Sequence, residues 1–248
     1  MEGTTVLGRL TWQVADVTGV VAETPRVKTI AFDVPGWTGH RAGQHVDVRL
    51  TAEDGYQAQR SYSIASAPDG TRVELTVVRI GDGEVSPYLT GQLQPGGQIE
   101  LRGPVGGYFV WEPPDGGPLL LVAGGSGVAP LMAMIRLRAH AGSEVDTRLL
   151  LSSRDWDDII YRDELQRLNG DRLTVAHTLT SSQPPGWAGY ARSVDADMLA
   201  EVGPGPEQRP HVYVCGPTPF VEAVAEALVH LGHQPQRIKT ERFGPTGS

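Results

Sequence analysis

Several short stretches of the chain carry residue types that hold charge and move it. Leu119 to Pro130 reads LLLVAGGSGVAP, an apolar run into Gly124, Gly125, Ser126 and Gly127 and then the start of a helix. That order makes an anion site: glycines let the backbone approach a pyrophosphate, and a helix N-terminus offers free N–H groups and a favourable dipole. Pro130 suits the first helical turn, where no amide proton is needed. Ala129 and Pro130 stand where a GxGxxG turn would have its third glycine, so this motif alone leaves an ordinary strand-to-helix turn open. The following strand ends Leu151, Ser152, Ser153, Arg154. An arginine there suits the 2′-phosphate of NADP, whereas an acid would suit the ribose hydroxyl of NAD. Asp155, Asp157 and Asp158 follow at once and offer Arg154 ion-pair partners, or the next helix a cap.

In RSYSIAS (Arg60 to Ser66) a cation, an aromatic ring and hydroxyls share one strand. Alternation puts Arg60 and Tyr62 on one face and Ser61 and Ser63 on the other. GDGEVSPYL (Gly81 to Leu89) adds a second glycine turn ahead of a helix, and GPVGGYF (Gly103 to Phe109) a third. Other combinations lead nowhere. His230 and His233 are three apart without a third ligand nearby in sequence, so no metal site is expected. Ser61, Ser63 and Ser126 suggest no hydrolase, because GGSGV lacks the spacing of a G-x-S-x-G elbow.

These motifs need two kinds of scaffold. The first half reads as short strands punctuated by Gly and Pro: Arg26 to Asp33, with Val27, Thr29 and Ala31 on one side, His45 to Leu50, and Arg72 to Arg79. Strands at this spacing predict a closed antiparallel barrel. From Leu119 the rhythm alternates. Strands at 119–122, 147–151, 173–179 and 211–215 are interleaved with helices near 128–140, 159–168, 195–202 and 220–231, which predicts a parallel sheet covered by helices. The boundary falls in Glu112 to Pro118, giving domains 1–114 and 115–248, as 248 residues suit two modest domains. The net charge of −8 divides evenly about this linker. It argues against a nucleic-acid platform, which needs a basic face. Cys215 is the one cysteine, so the chain holds neither an internal disulfide nor a cysteine-ligated iron–sulfur cluster of its own. Met1, Glu2 and Gly3 open no signal peptide, and no apolar run reaches about 18 residues, so a soluble, cytoplasmic protein that engages no membrane is expected.

Taken together, the motifs resemble those of the ferredoxin–NADP reductase superfamily over almost the whole chain. Arg60, Tyr62 and Ser63 match its R-x-Y-S flavin motif, Gly83 to Ser86 its second flavin-phosphate turn, GGSGVAP its pyridine-nucleotide turn, and VCGPTPF (Val214 to Phe220) its nicotinamide-side motif. The resemblance implies a six-stranded FAD barrel followed by a doubly wound NAD(P) domain, with hydride transfer between them. It implies that Arg60 pairs with the flavin pyrophosphate, Tyr62 packs on the isoalloxazine or ribityl region, and Ser63 donates a hydrogen bond near flavin N5. It further implies flavin contacts at Ile64, Val77, Arg79, Gly83, Val85 and Ser86. Nucleotide contacts are implied at Gly125, Ser126, Gly127, Ser153, Arg154, Tyr190 (on the adenine), Cys215, Gly216 and Pro217. Ser63, Cys215, Glu241 and Phe243 are the implied catalytic positions, Phe243 as a ring cover that is Phe where the plant-type pattern has Tyr, followed by five more residues. Arg154 leans toward NADPH, and Thr180 and Ser181, where NADP-selective members have Ser and Arg, lean away from it.

The implied activity is an FAD-dependent NAD(P)H oxidoreductase that hands electrons to a separate ferredoxin, flavodoxin or oxygenase component, because no cysteine-rich domain is present. The alternatives are a non-catalytic flavin- and nucleotide-binding electron-transfer subunit of a larger complex, and a reductase that releases free reduced flavin.

Overall fold

The computed structural model describes residues 10–170 and 172–244. The readings of Met1 to Gly3 and of Pro245 to Gly247 lie outside the described residues. Six strands form the first sheet: β1 (Gln13–Thr24), β2 (Val27–Asp33), β3 (His45–Thr51), β4 (Gln57–Ser63), β5 (Arg72–Val78) and β6 (Gln98–Val105). They pair antiparallel in the order β4-β3-β6-β1-β2-β5. Alternate residues such as Val46, Val48, Val73, Leu75, Leu101 and Phe32 point inward and bury completely, as a half-solvated pleat requires. The sheet curls until its edges meet, with an Ile64–Leu75 bridge and an Ala65 N–H donating to the Glu74 carbonyl at 2.8 Å. Helix α1 (Val85–Gly91) packs Val85 and Leu89 into this core.

One expectation changes here. Val27, Thr29 and Ala31 do share a side of β2, but Ile30 and Phe32 fill the barrel, and the Val27 side faces the second sheet. Both faces of β2 are therefore covered. GPVGGYF is corrected too: Gly103 to Val105 continue β6, and the chain bends only over Gly106 to Phe109.

The second sheet contains β7 (Leu119–Gly124), β8 (Thr147–Ser153), β9 (Leu173–Leu179), β10 (His211–Pro217) and β11 (Ile238–Phe243), all parallel in the order β11-β10-β7-β8-β9. Between them run α2 (Val128–His140), α3 (Arg162–Leu168), α4 (Ala196–Val202) and α5 (Thr218–His230). The third helix starts at Arg162 rather than Ile159. Asp155 caps a separate turn by accepting from the Asp157 and Asp158 amides, and Tyr161 then takes a left-handed φ of 58°. The Glu112–Pro118 linker holds one short turn, Pro113–Asp115.

Helix α2 is wedged between the two sheets, which explains its run of buried residues from Val128 to Ile135. At its far end Arg136 bonds the Ala65 carbonyl at 2.9 Å and pairs with Glu74 at 2.8 Å and Glu164 at 2.6 Å, tying barrel, α2 and α3 together. Burial opposes the Arg136 charge, and its neighbours Glu164, Tyr161 and Glu74 more than offset this. No described helix is long and apolar enough to cross a membrane.

Candidate active site

In the parallel sheet the strand order reverses between β7 and β10, and the carboxyl ends of those strands flank a crevice. That is where open α/β sheets bind ligands. Three glycines bring the two strand ends together. A Cβ on Gly127 would lie 2.1 Å from the Cys215 carbonyl oxygen, one on Gly216 3.1 Å from the Gly124 nitrogen, and one on Gly124 3.0 Å from the Phe220 ring. Gly125 differs: its φ of +54° suits glycine, and a Cβ there would meet nothing within 4 Å. The backbone of Gly125 and Ser126 thus lies open to the crevice at the start of α2, while α5 begins at Thr218 directly after Pro217, which is exposed. Two helix N-termini facing one crevice favour an anion.

The barrel meets this crevice at its seam. β4 and β5 are the two ends of the strand order, so the main-chain groups of β4 on the seam side have no strand partner along most of their length. Arg60 and Tyr62 sit there. Arg60 is exposed, bonds only the neighbouring Gln59 carbonyl and forms no ion pair among the described residues. Tyr62 packs on the barrel core, and burial pushes its phenol up to about 12.

Ser63 is buried and donates from Oγ to Glu241 Oε1 at 3.4 Å, a contact between residues 178 apart in sequence. Burial raises the Glu241 carboxyl to about 7, against the lowering effect of the Ser63 bond. In the β10–β11 ladder Cys215 faces Glu241 and Pro217 faces Phe243. The Cys215 side chain is sealed in the core, and burial together with the nearby Glu241 charge raises its thiol. Phe243 packs half-buried against the same cluster. His45 lies directly across the β3–β4 ladder from Ser63, with burial lowering its imidazole.

The third part of the site follows β8. Ser153 is buried, and its Oγ has no hydrogen-bond partner among the described residues. Its carbonyl and that of Arg154 accept from the Thr180 and Ser181 amides at 3.0 and 2.7 Å. Two of the acids after Arg154 are engaged elsewhere: Asp155 caps its own turn, and Asp157 lies 4.0 Å from Arg162. Arg154 is exposed and forms no ion pair among the described residues. Beside it stands an aromatic pair that the motif reading missed. Trp156 and Trp187 meet edge-on with centroids 5.8 Å apart, and Arg162 lies 5.0 Å above the Trp156 ring. The signal was a tryptophan in each of two turn-rich loops, positions where a large apolar ring has no local structural reason to be.

Several implied contacts need correction. Ile64, Val77 and Val85 are wholly or almost wholly buried in the barrel core, which leaves only their main chain for a ligand. Ser86 is buried and its Oγ accepts from the Ile80 amide at 3.0 Å, so it shapes the Gly83 turn instead of facing outward. Arg79 is exposed beside Arg26, whose Nη2 donates to the Arg79 carbonyl at 3.4 Å. Tyr190 packs toward α4 and α5, with Arg192 5.3 Å from its ring centre, so its exposure to an adenine is reduced. The Cys215 thiol, sealed as it is, presents its backbone rather than its sulfur. His230 is exposed while His233 is buried, so the two rings do not share a surface.

Comparison with known proteins covers both sheets. Residues 16–110 match the model of an oxidoreductase FAD-binding domain, and residues 121–226 that of an oxidoreductase NAD-binding domain. Ferredoxin–NADP reductase B of Sorangium cellulosum is 38% identical over 209 residues, 82% of this chain and 84% of that protein. The glycine betaine monooxygenase reductase subunit of Chromohalobacter salexigens is 34% identical over 234 residues, and the match spans 92% of this chain but 63% of that longer protein. Among solved structures, the FAD/NAD-binding domain of a Vibrio cholerae nitric oxide dioxygenase superposes with a TM-score of 0.84 at 23% identity, covering 94% of this chain and 99% of that one.

Proposed function

The chain belongs to the ferredoxin–NADP reductase superfamily, and on that premise we propose that it is an FAD-dependent oxidoreductase that takes a hydride from NAD(P)H and passes electrons to a separate redox protein. The observation that carries this reading is the Ser63–Glu241 contact, 3.4 Å long, which joins the flavin-motif strand to the last strand of the nucleotide sheet beside the glycine crevice. The residues present fit both cofactors. Gly125 leaves its backbone bordering open space at the start of α2, and Ser153 Oγ is a buried polar atom with no partner among the described residues. Bound FAD supplies the chemistry that converts hydride transfer into single-electron delivery.

In this reading residues 1–114 hold FAD and residues 115–248 hold NAD(P). Arg60 binds the flavin pyrophosphate with the amides of the Gly83 turn, and charge-assisted bonds of this kind are the stronger ones. Tyr62 lies against the flavin ring system. Ser63 would lie beside the flavin, and Glu241, poised near neutrality and accepting from Ser63 Oγ, can hold or release a proton at that hydroxyl. Gly125, Ser126 and Gly127 hold the nucleotide pyrophosphate, while Gly216 and Pro217 border the nicotinamide. Phe243 excludes water from the flavin face until the nicotinamide arrives. Trp156 and Trp187 carry the adenine end, and Arg154 supplies the 2′-phosphate contact that favours NADPH.

A ferredoxin, flavodoxin or oxygenase component is the acceptor, a class supported by the reductase subunits among the relatives. A cytoplasmic setting goes with such partners. The test is spectroscopic and kinetic. Purified protein should show a flavin absorption band and reduce ferricyanide with NADPH or NADH. Absence of the band, or of turnover with both nucleotides, would overturn the reading.

A further inference from the structure

The opposite end of the parallel sheet holds a second concentration of charge. His211 is the first residue of β10, and Arg237 and Lys239 bracket the first residue of β11. Together with Arg41, Asp115 and Gln236 they wall a cavity of about 280 Å³, closed on the barrel side by Gly107 and Val110. The crevice described above lies at the carboxyl ends of these strands, so the cavity is separate from it.

The hydrogen-bonding inventory of the wall is one-sided. Lys239 Nζ donates to two neutral oxygens, the Val110 carbonyl at 3.0 Å and the Tyr213 hydroxyl at 3.4 Å, and reaches no carboxylate within ion-pair distance among the described residues. Among the described residues Arg237 uses only Nε, on the Pro210 carbonyl at 3.0 Å, and also forms no ion pair. Arg41 spends Nε and Nη2 on Glu112. The single acid in the wall, Asp115, accepts the Glu112 amide through Oδ2 at 2.9 Å, and its carbonyl lies 3.1 Å from His211 Nε2. Among the described residues Arg237 therefore leaves its Nη groups unbonded and Lys239 bonds only neutral oxygens, so the wall carries more cationic donors than the one Asp115 carboxylate can meet. Half-buried cations in that state are costly unless paired.

We propose that this interdomain cavity binds a small oxyanion, a phosphoryl or carboxylate group held by Arg237 and Lys239 and closed over by Arg41. Burial and the neighbouring Arg41 charge lower the Lys239 ammonium more than the Asp115 carboxylate raises it, so its charge is only partly balanced. Because Arg41 belongs to the barrel side and Arg237 and Lys239 to the parallel sheet, an occupant bridges the two and stabilises their contact.

The FAD-loaded protein is titrated with inorganic phosphate and, separately, malonate, at constant ionic strength set with chloride and with NADP⁺ saturating, following both heat of binding and melting temperature. The expected result is saturable binding of at least one anion with a rise in melting temperature, weakened about tenfold or more in Arg237→Gln and in Lys239→Met. The stronger of the two anions identifies the group as phosphoryl or carboxylate. A melting shift that chloride reproduces, or that saturating NADP⁺ abolishes, overturns the proposal. So does unchanged anion affinity in both variants. Ferricyanide reduction is a separate readout, so failure of this site leaves the proposed oxidoreductase activity untouched.

Discussion

Replacing Glu241 by glutamine isolates the charge of the buried carboxyl while keeping its shape and an acceptor for Ser63. In the folded protein this group keeps its proton up to a pH of about 7, whereas the ordinary value is 4.5. Between those two values the folded state binds more protons than the unfolded state, so stability falls as pH rises. The slope is about 1.4 kcal/mol per pH unit, and the interval from 4.5 to about 7 gives roughly 3 kcal/mol in all. The contribution is fully present below the unfolded value and lost once pH passes the folded one. Urea unfolding of both proteins from pH 4 to 8.5, with FAD saturating throughout, should show the Gln variant gaining on the native protein across this window and then running parallel to it. The same variant should lose a titration near neutrality from the pH dependence of turnover. Stability curves that stay parallel from pH 4 to 8.5 would mean that Glu241 ionises normally and that the Ser63–Glu241 contact is an ordinary surface bond.

Gly127→Ala forces a Cβ to 2.1 Å from the Cys215 carbonyl and should cost about 1 to 3 kcal/mol of stability, measured by thermal unfolding. Gly125→Ala, strained only by its φ of +54°, should cost about 1 kcal/mol yet raise KM for the nucleotide; equal stability losses in the two would refute the distinction. Cys215 should resist a disulfide reagent at pH 8 in the native state and react fully in denaturant, because its thiol is sealed and raised by burial. Arg154→Ala should lower kcat/KM for NADPH about 10- to 100-fold more than for NADH, the worth of one charge-assisted bond. Equal losses with the two nucleotides would remove Arg154 from the 2′-phosphate. Arg136→Ala strands Glu164 and leaves Glu74 with Arg72 alone, and should destabilise by roughly 3 kcal/mol, read as a fall in melting temperature.

The elements legible from the chain are those whose partners leave a periodic or apolar mark. β7, β8 and β10 are buried on both faces and read as apolar runs, and the helices between them fall within a few residues of where spacing puts them. β11 was not legible: IKTERF carries three charged residues and becomes a strand through its six-residue ladder with β10. β1 leaves as faint a mark, with partly exposed residues on both faces, whereas β6 does alternate over 98–103 and was hidden by the Gly103–Pro104 pair, which reads as a turn. The helix start at Arg162 depended on an Asp155 cap and a left-handed Tyr161 that propensity does not foresee.

Sequence by itself determined the local chemistry of this protein: where a glycine must be, which strand carries Arg60, Tyr62 and Ser63, and which turn opens a helix toward an anion. Those are short-range properties, fixed by steric freedom and side-chain type within a few residues. Only the tertiary structure decided what those groups face. It buried Ser86, Val77 and the Cys215 thiol, turned Tyr190 toward Arg192, and carried Glu241 across 178 residues to Ser63. Such outcomes depend on which surfaces exclude water when α2 is wedged between the two sheets. Desolvation is a property of the assembled layers, and no segment contains it alone.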